Sequence, residues 1–139
     1  MIPWDKLHGA MTHFPIALLL FSTACDFGSV AFKRRPFARE LRTVSFYGLF
    51  AAALASVGVV VSGVALTKGQ LWGRGDLLWH HRFAWPAFGL VVALAVWRLV
   101  VRDAMSRTGW CLYLLLMAVG SGLVAAAGYF GGELLLGGG

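Results

Sequence analysis

Four histidines stand in two pairs, and each pair lies just before a long apolar segment. His8 and His13 precede the first apolar run, and His80 and His81 precede the third. In an antiparallel bundle the first and third runs begin at the same face, because two crossings separate their starts. Neutral imidazole is a common metal ligand. Four imidazoles at one end of a hydrophobic bundle therefore predict a metal or haem site.

The composition indicates what kind of element holds these side chains. Of the 139 residues, 59% are hydrophobic and 13% are charged, whereas a soluble domain has about 25% charged residues. Apolar runs cover about residues 14–32, 44–66, 83–101 and 110–136. Each is long enough to cross a bilayer, and a backbone in lipid must satisfy its own hydrogen bonds as a helix. We therefore predict a single all-α domain, an antiparallel bundle of four transmembrane helices.

The basic residues are divided unequally between the two ends of this bundle. Eight of the 12 lie at the end opposite the histidines: Lys33, Arg34, Arg35, Arg39, Arg42, Arg98, Arg102 and Arg107. Short basic loops stay in the cytoplasm. The sequence thus predicts a bacterial inner-membrane protein whose termini and histidines face the periplasm. The net charge of +6 is explained by these basic residues at the edge of the membrane, so a nucleic-acid partner is not needed to account for it.

Two charged residues lie inside the predicted spans. Asp26 is 13 residues beyond His13, and Arg98 is 15 residues beyond Phe83, so each lies roughly 20 Å from the histidine face. A charge at such depth is costly without a partner. Their similar depth on spans one and three predicts a structural Asp26–Arg98 ion pair.

Proline placement predicts where two of the helices begin. Pro15 and Pro86 fall within the opening turns of the first and third apolar runs, where proline costs least. The histidines are therefore expected at or just before helix N-termini, where the helix dipole disfavours the charged imidazolium form.

Helical spacing limits how the histidines can combine. On a helix, His8 and His13 would be about 140° apart, and His80 and His81 about 100° apart. Neither pair converges on one ion, so one ligand from each pair, bridging spans one and three, is the easier arrangement.

A haem b with two histidine axial ligands fits this arrangement. Arg74 and Arg82 lie on the histidine face, where they would neutralise the propionates. A zinc or copper site with three histidines is the competing interpretation. A third is that these are interfacial histidines beside lipid headgroups, with no cofactor.

The segment LHGAMTHFPIALL, residues 7–19, with Asp26 following, resembles the opening of a family of small four-helix bacterial membrane proteins. That family is catalogued as domain of unknown function 2231, and its members typically read H-P-x-x-V-H-F-P-I-A here. The pair HR at 81–82 and the closing GGEL at 131–134 resemble it as well. The resemblance implies His8, His13 and His81 as the family's histidines.

This resemblance favours His81 over His80, and closeness to the first span favours His13 over His8. The predicted axial ligands are therefore His13 and His81, with His8 and His80 as second choices. The function that we predict is a cytochrome b-like membrane electron-transfer subunit. It would link a periplasmic redox partner with the quinone pool.

Quinone chemistry needs a proton acceptor beside the site. The acids on the histidine face are Glu133, Asp76 and Asp5, and Glu133 is the best candidate because it ends an otherwise apolar helix next to two glycines. A plain interfacial cap is the alternative role for Glu133. The chain is small and has short polar loops, so we expect it to be a non-catalytic subunit of a larger membrane or periplasmic redox complex. The alternatives are a cofactor-free anchor or assembly subunit and a small histidine metal site.

Overall fold

The structure, a computed structural model, describes residues 3–102 and 104–136, and the regular secondary structure in these ranges is helical. Four helices follow one another: α1 (Trp4–Ala31), α2 (Ala38–Leu66), α3 (Asp76–Val101) and α4 (Arg107–Leu136). The shortest has 26 residues, and each is long and apolar enough to cross a membrane. The chain is therefore a multi-pass membrane protein with four transmembrane helices, as the sequence predicted.

The helices begin earlier than the apolar runs, and this corrects the expected position of the histidines. Because α1 begins at Trp4 and α3 at Asp76, all four histidines lie inside helices rather than at or before their N-termini. Pro15 and Pro86 are likewise internal to their helices instead of occupying the opening turns. Packing against neighbouring helices, more than local composition, decides how far a helix extends.

The four helices form two hairpins. α1 packs closely on α2, and α3 packs closely on α4. The hairpins meet along α1 and α4 and, less extensively, along α2 and α3. Helices α1 and α3 are therefore diagonal partners that run in the same direction. All four helices contribute to a buried core that contains Leu19, Leu49, Ala52, Val91, Leu94, Ala95, Tyr113 and Met117.

The outside of the bundle is also apolar, as a lipid-covered surface requires. Val100 is 77% exposed and Leu54 is 66% exposed. Exposed apolar surface of this extent marks a membrane or partner interface, and the four apolar helices assign it to lipid.

Glycines allow α2 to approach α1 closely. A Cβ at Gly48 would overlap Ser22 Oγ, and a Cβ at Gly58 would overlap a methionine side chain of α1. In α4, a Cβ at Gly128 would lie 3.3 Å from an isoleucine of α1, whereas one at Gly132 would meet open space. Glycines of α2 and α4 thus act in close helix packing at some positions only.

The bundle has two chemically different ends. We call the end with the starts of α1 and α3 the histidine end, and the end with the starts of α2 and α4 the arginine end. The α2–α3 connection lies at the histidine end, and the other two connections lie at the arginine end.

Candidate functional site

A cavity of about 280 Å³ lies at the histidine end and is lined by all four helices. Each of the four histidines lines it: His8 and His13 come from α1, and His80 and His81 come from α3. Most of the remaining lining consists of apolar side chains and glycines. Small-molecule sites begin at about 300 Å³ and combine an apolar wall with a few convergent polar groups. The cavity has this character, and its volume is just below that range.

Three of the imidazole rings lie near one another. The ring centroids of His8 and His80 are 6.5 Å apart, and the ring planes are at 82°. The centroids of His80 and His81 are 5.6 Å apart, and the indole of Trp85 is 6.3 Å from His81. The structure therefore brings one histidine of the first pair to both histidines of the second.

Hydrogen bonds orient the ring of His8. Its Nδ1 is 2.9 Å from Ser62 Oγ, and that hydroxyl donates its own proton to Val59 O. The hydroxyl oxygen is therefore the acceptor, so Nδ1 of His8 carries the proton and Nε2 keeps its lone pair. The ring lies against Gly63, where a Cβ would come within 2.9 Å of the His8 Cε1 atom. Glycine at this position makes room for the imidazole.

His80 is oriented in the same way by α4. Its Nδ1 donates to Ala127 O at 2.9 Å, so Nε2 again keeps its lone pair. A Cβ at Gly131 would lie 3.2 Å from this Nδ1. Metal-binding histidines usually donate the other ring N–H to a carbonyl or a similar acceptor, which fixes the tautomer. His8 and His80 both satisfy that condition.

The other two histidines have different surroundings. His13 is exposed, and its Nδ1 donates to Gly9 O at 2.8 Å, one turn earlier in α1. His81 is only 8% exposed, and its Nδ1 has no hydrogen-bond partner among the described residues. Within that part of the chain, the ring contact between α1 and α3 histidines is His8–His80. The two first-choice ligands of the sequence prediction line the cavity but are not the pair in ring contact.

The charged residues that were predicted to assist the site lie outside the cavity lining. The Arg82 guanidinium is 4.9 Å from the ring centroid of Trp79, and Arg74 is exposed in the α2–α3 connection. Glu133, near the end of α4, and Asp76, the first residue of α3, are also exposed. The arginines predicted to neutralise the haem propionates and the acids predicted to accept protons therefore do not line the cavity with the histidines.

The ring separation can be compared with the separation that one tetrahedral metal ion would require. Within residues 3–102 and 104–136, no group of three His, Cys, Asp or Glu side chains is placed to hold a metal ion. A tetrahedral ion with nitrogen ligands at about 2.0 Å would hold two imidazole centroids about 5 Å apart. The centroids of His8 and His80 are 6.5 Å apart, which is longer than such an ion requires.

A second polar cluster lies in the core toward the arginine end. Arg98 Nη2 is 3.9 Å from Asp26 Oδ1, and the side chains are 3% and 0% exposed. Tyr113 donates its hydroxyl proton to Asp26 Oδ2 at 2.8 Å. The structure thus brings Asp26 and Arg98 together, as their similar depth predicted. It adds Tyr113, which the sequence analysis did not identify. Similar depth in the membrane was the signal that could have identified Tyr113. It lies six residues from the start of α4, and Asp26 lies five residues from the end of α1, at the same end of the bundle.

Comparison with known proteins identifies the family to which the chain belongs. One family model matches residues 5–139, which is nearly the whole chain. The chain belongs to DUF2231. Members of DUF2231 are described as predicted membrane proteins, in agreement with the four apolar helices. No curated protein and no solved structure matches the chain.

The DUF2231 membership confirms the family resemblance that the histidine motifs indicated. In this DUF2231 chain, the three histidines implied by the resemblance all line the cavity, namely His8, His13 and His81. His80 lines it as well, and it has the ring contact with His8. The cavity therefore also contains His80, the histidine that the family resemblance did not imply.

Proposed function

We propose that the protein is a membrane electron-transfer subunit of the cytochrome b type that binds one haem b at the histidine end. The observation that carries this proposal is the His8–His80 pair. The two rings come from diagonal helices, their centroids are 6.5 Å apart, and both keep the Nε2 lone pair. Bundles build cofactor sites in this way, from side chains on facing helices.

The residues of the chain would act by holding two ligands in place. Haem iron supplies a one-electron couple between Fe(III) and Fe(II), whose potential depends on axial ligands and burial. Ser62 Oγ and Ala127 O hold the two imidazoles in the Nδ1-protonated tautomer. The lining around them is mostly apolar. Arg74 and Arg82, the cations predicted for the propionates, lie outside the described lining of the cavity.

The charge asymmetry supports a sidedness for this function. The excess of basic residues at the arginine end favours a cytoplasmic location for that end, so the cavity would face the periplasm of a bacterium. There, as part of a larger complex, the chain would pass electrons between a periplasmic redox partner and the quinone pool. Glu133 and Asp76, both exposed at the histidine end, are the candidate acids for proton exchange with a quinone bound beside the cavity.

A visible difference spectrum tests the proposal. The full chain, produced with haem supplied in excess and purified in mild detergent, is expected to show a b-type α band when the reduced-minus-oxidised spectrum is recorded. His8→Ala and His80→Ala are each expected to abolish the band, because each removes one of the two imidazoles that would hold the haem. His13→Ala is the matched control, since it removes an exposed imidazole from the same helix as His8, and it should retain the band.

Each alternative outcome has a distinct meaning. A band lost in His13→Ala and His81→Ala but kept in the other two variants would overturn our choice of ligands. A haem-replete preparation without a Soret band would overturn the haem proposal altogether. Metal analysis of that preparation would then separate a zinc or copper site from a cofactor-free anchor, which should tolerate replacement of every histidine.

A further inference from the structure

A second, larger cavity of about 930 Å³ lies at the arginine end. Its described lining residues include a single carboxylate, that of Glu40, and six cationic side chains: Lys33, Arg35, Arg39, Arg42, Arg98 and Arg102. Basic connections between transmembrane helices are ordinary in membrane proteins, but here the cations line one concave space. The excess of positive charge indicates an anionic ligand.

The deepest of these cations is Arg98, which is only 3% exposed. Its Nε and Nη1 have no hydrogen-bond partner among the described residues. The nearest carboxylate oxygen, Asp26 Oδ1, is 3.9 Å from Nη2, beyond hydrogen-bond distance. Buried donors of a charged group are costly to leave without acceptors. This guanidinium therefore has donors to offer to an acceptor in the cavity.

Arg42 and Arg98 both pack against the indole ring of Trp110. The guanidinium carbons of Arg42 and Arg98 are 4.8 Å and 4.4 Å from the ring centroid of Trp110. Arg42 also donates from Nε to Ser29 Oγ at 3.4 Å, which leaves its terminal nitrogens for another acceptor. The two guanidinium carbons are thus within about 9 Å of each other, and both side chains line the cavity, so an anion that contacts both would relieve their repulsion.

We propose that this cavity binds a phosphate group, with Arg42 and Arg98 as its inner donors. Guanidinium groups are planar forks that bind phosphate oxygens in a bidentate way. Basic pockets between transmembrane helices bind anionic headgroups in the same manner. The phosphate belongs either to the headgroup of an anionic phospholipid or to a soluble phosphate compound. The proposal depends on nothing at the histidine end.

Two experiments on the full chain distinguish these sources. In the first, the protein is reconstituted in phosphatidylcholine nanodiscs that contain about one fifth phosphatidylglycerol, then re-extracted and washed in about 0.5 M NaCl, where the Debye length is about 4 Å. The phosphatidylglycerol retained per chain is counted. In the second, nanodiscs of phosphatidylcholine alone are titrated calorimetrically with inorganic phosphate at constant ionic strength. Retained lipid identifies a headgroup site, and saturable phosphate binding identifies a soluble ligand.

Matched charge removals test the inner donors. Arg42→Gln is expected to reduce binding at least fivefold in whichever experiment is positive. Arg34→Gln removes the same charge from the same end, but Arg34 is exposed and lies outside the cavity lining, so binding should change less than twofold. Equal losses in the two variants would mean surface attraction only and would overturn the site. Failure of the wild-type chain to bind either probe would overturn it as well.

Discussion

Asp26 has no exposed surface, so its carboxylate depends on partners inside the bundle. One oxygen accepts a hydrogen bond from Tyr113, and the other has Arg98 as a distant ion-pair partner. Removing one member of a buried polar group leaves the others unsatisfied, and this costs more than the group contributes when complete. The hydroxyl of Tyr113 is therefore expected to matter for stability more than its single hydrogen bond suggests.

Tyr113→Phe tests this dependence with almost no change in shape. We expect the free energy of unfolding to fall by about 1–3 kcal/mol, because Asp26 Oδ2 loses its donor. Unfolding in mixed detergent micelles measures the change. Tyr129→Phe is the control, since Tyr129 is 64% exposed and its hydroxyl is replaceable. Equal stability of the two variants would contradict a role for Tyr113 in satisfying Asp26.

At the scale of the helices, one of the close contacts between α1 and α2 is a glycine of α2 that faces a serine hydroxyl of α1. A Cβ at Gly48 would overlap Ser22 Oγ. That oxygen is buried and has no hydrogen-bond partner among the described residues. Removing it would therefore cost the protein no hydrogen bond within that part of the chain. Without a hydrophobic drive between helices in lipid, close backbone approach is what holds such a pair together.

Gly48→Ala is expected to destabilise the protein by about 1–3 kcal/mol through this overlap. Adding Ser22→Ala should restore most of the loss, because the overlapping atom is removed. Gly89→Ala is the control: a Cβ there meets open space, and alanine is the better helix former by up to about 1 kcal/mol. The three variants are compared by thermal unfolding in detergent. If the double variant is no more stable than Gly48→Ala alone, the overlap is not the cause.

For the whole molecule, the two ends differ in charge, and this difference is expected to orient the bundle in the membrane. The arginine end carries eight of the 12 basic residues, and the histidine end carries the other four. Because short basic loops stay in the cytoplasm, we expect the arginine end to face the cytoplasm. The proposed haem and phosphate sites would then face opposite compartments.

Cysteine accessibility tests this orientation. In a background with Cys25→Ala and Cys111→Ser, a cysteine is introduced at exposed Gln70, in the α2–α3 connection, or at exposed Arg34, in the α1–α2 connection. A membrane-impermeant maleimide added to bacterial spheroplasts should modify Gln70→Cys and leave Arg34→Cys unmodified until the cells are lysed. The reverse pattern would show that the charge bias does not set the orientation.

The four-helix membrane fold was predictable from the sequence because lipid leaves a long apolar run few choices. The backbone must satisfy its own hydrogen bonds within each segment. The Asp26–Arg98 proximity was accessible for a similar reason, since depth along a helix is proportional to residue number. The starts of α1 and α3 were not predictable, since the polar turns before each run are helical through packing rather than composition.

Which histidines face one another was decided by the tertiary structure. Rotation of a helix about its axis by one residue turns a side chain through about 100°, and the sequence does not set that angle. The contacts do: Ser62 and Gly63 of α2 hold His8, and Ala127 O of α4 holds His80. The sequence by itself determined that four histidines share one end of a membrane bundle. Only the packing of α2 and α4 decided which two rings meet, because orientation about a helix axis is set by neighbours and not by position along the chain.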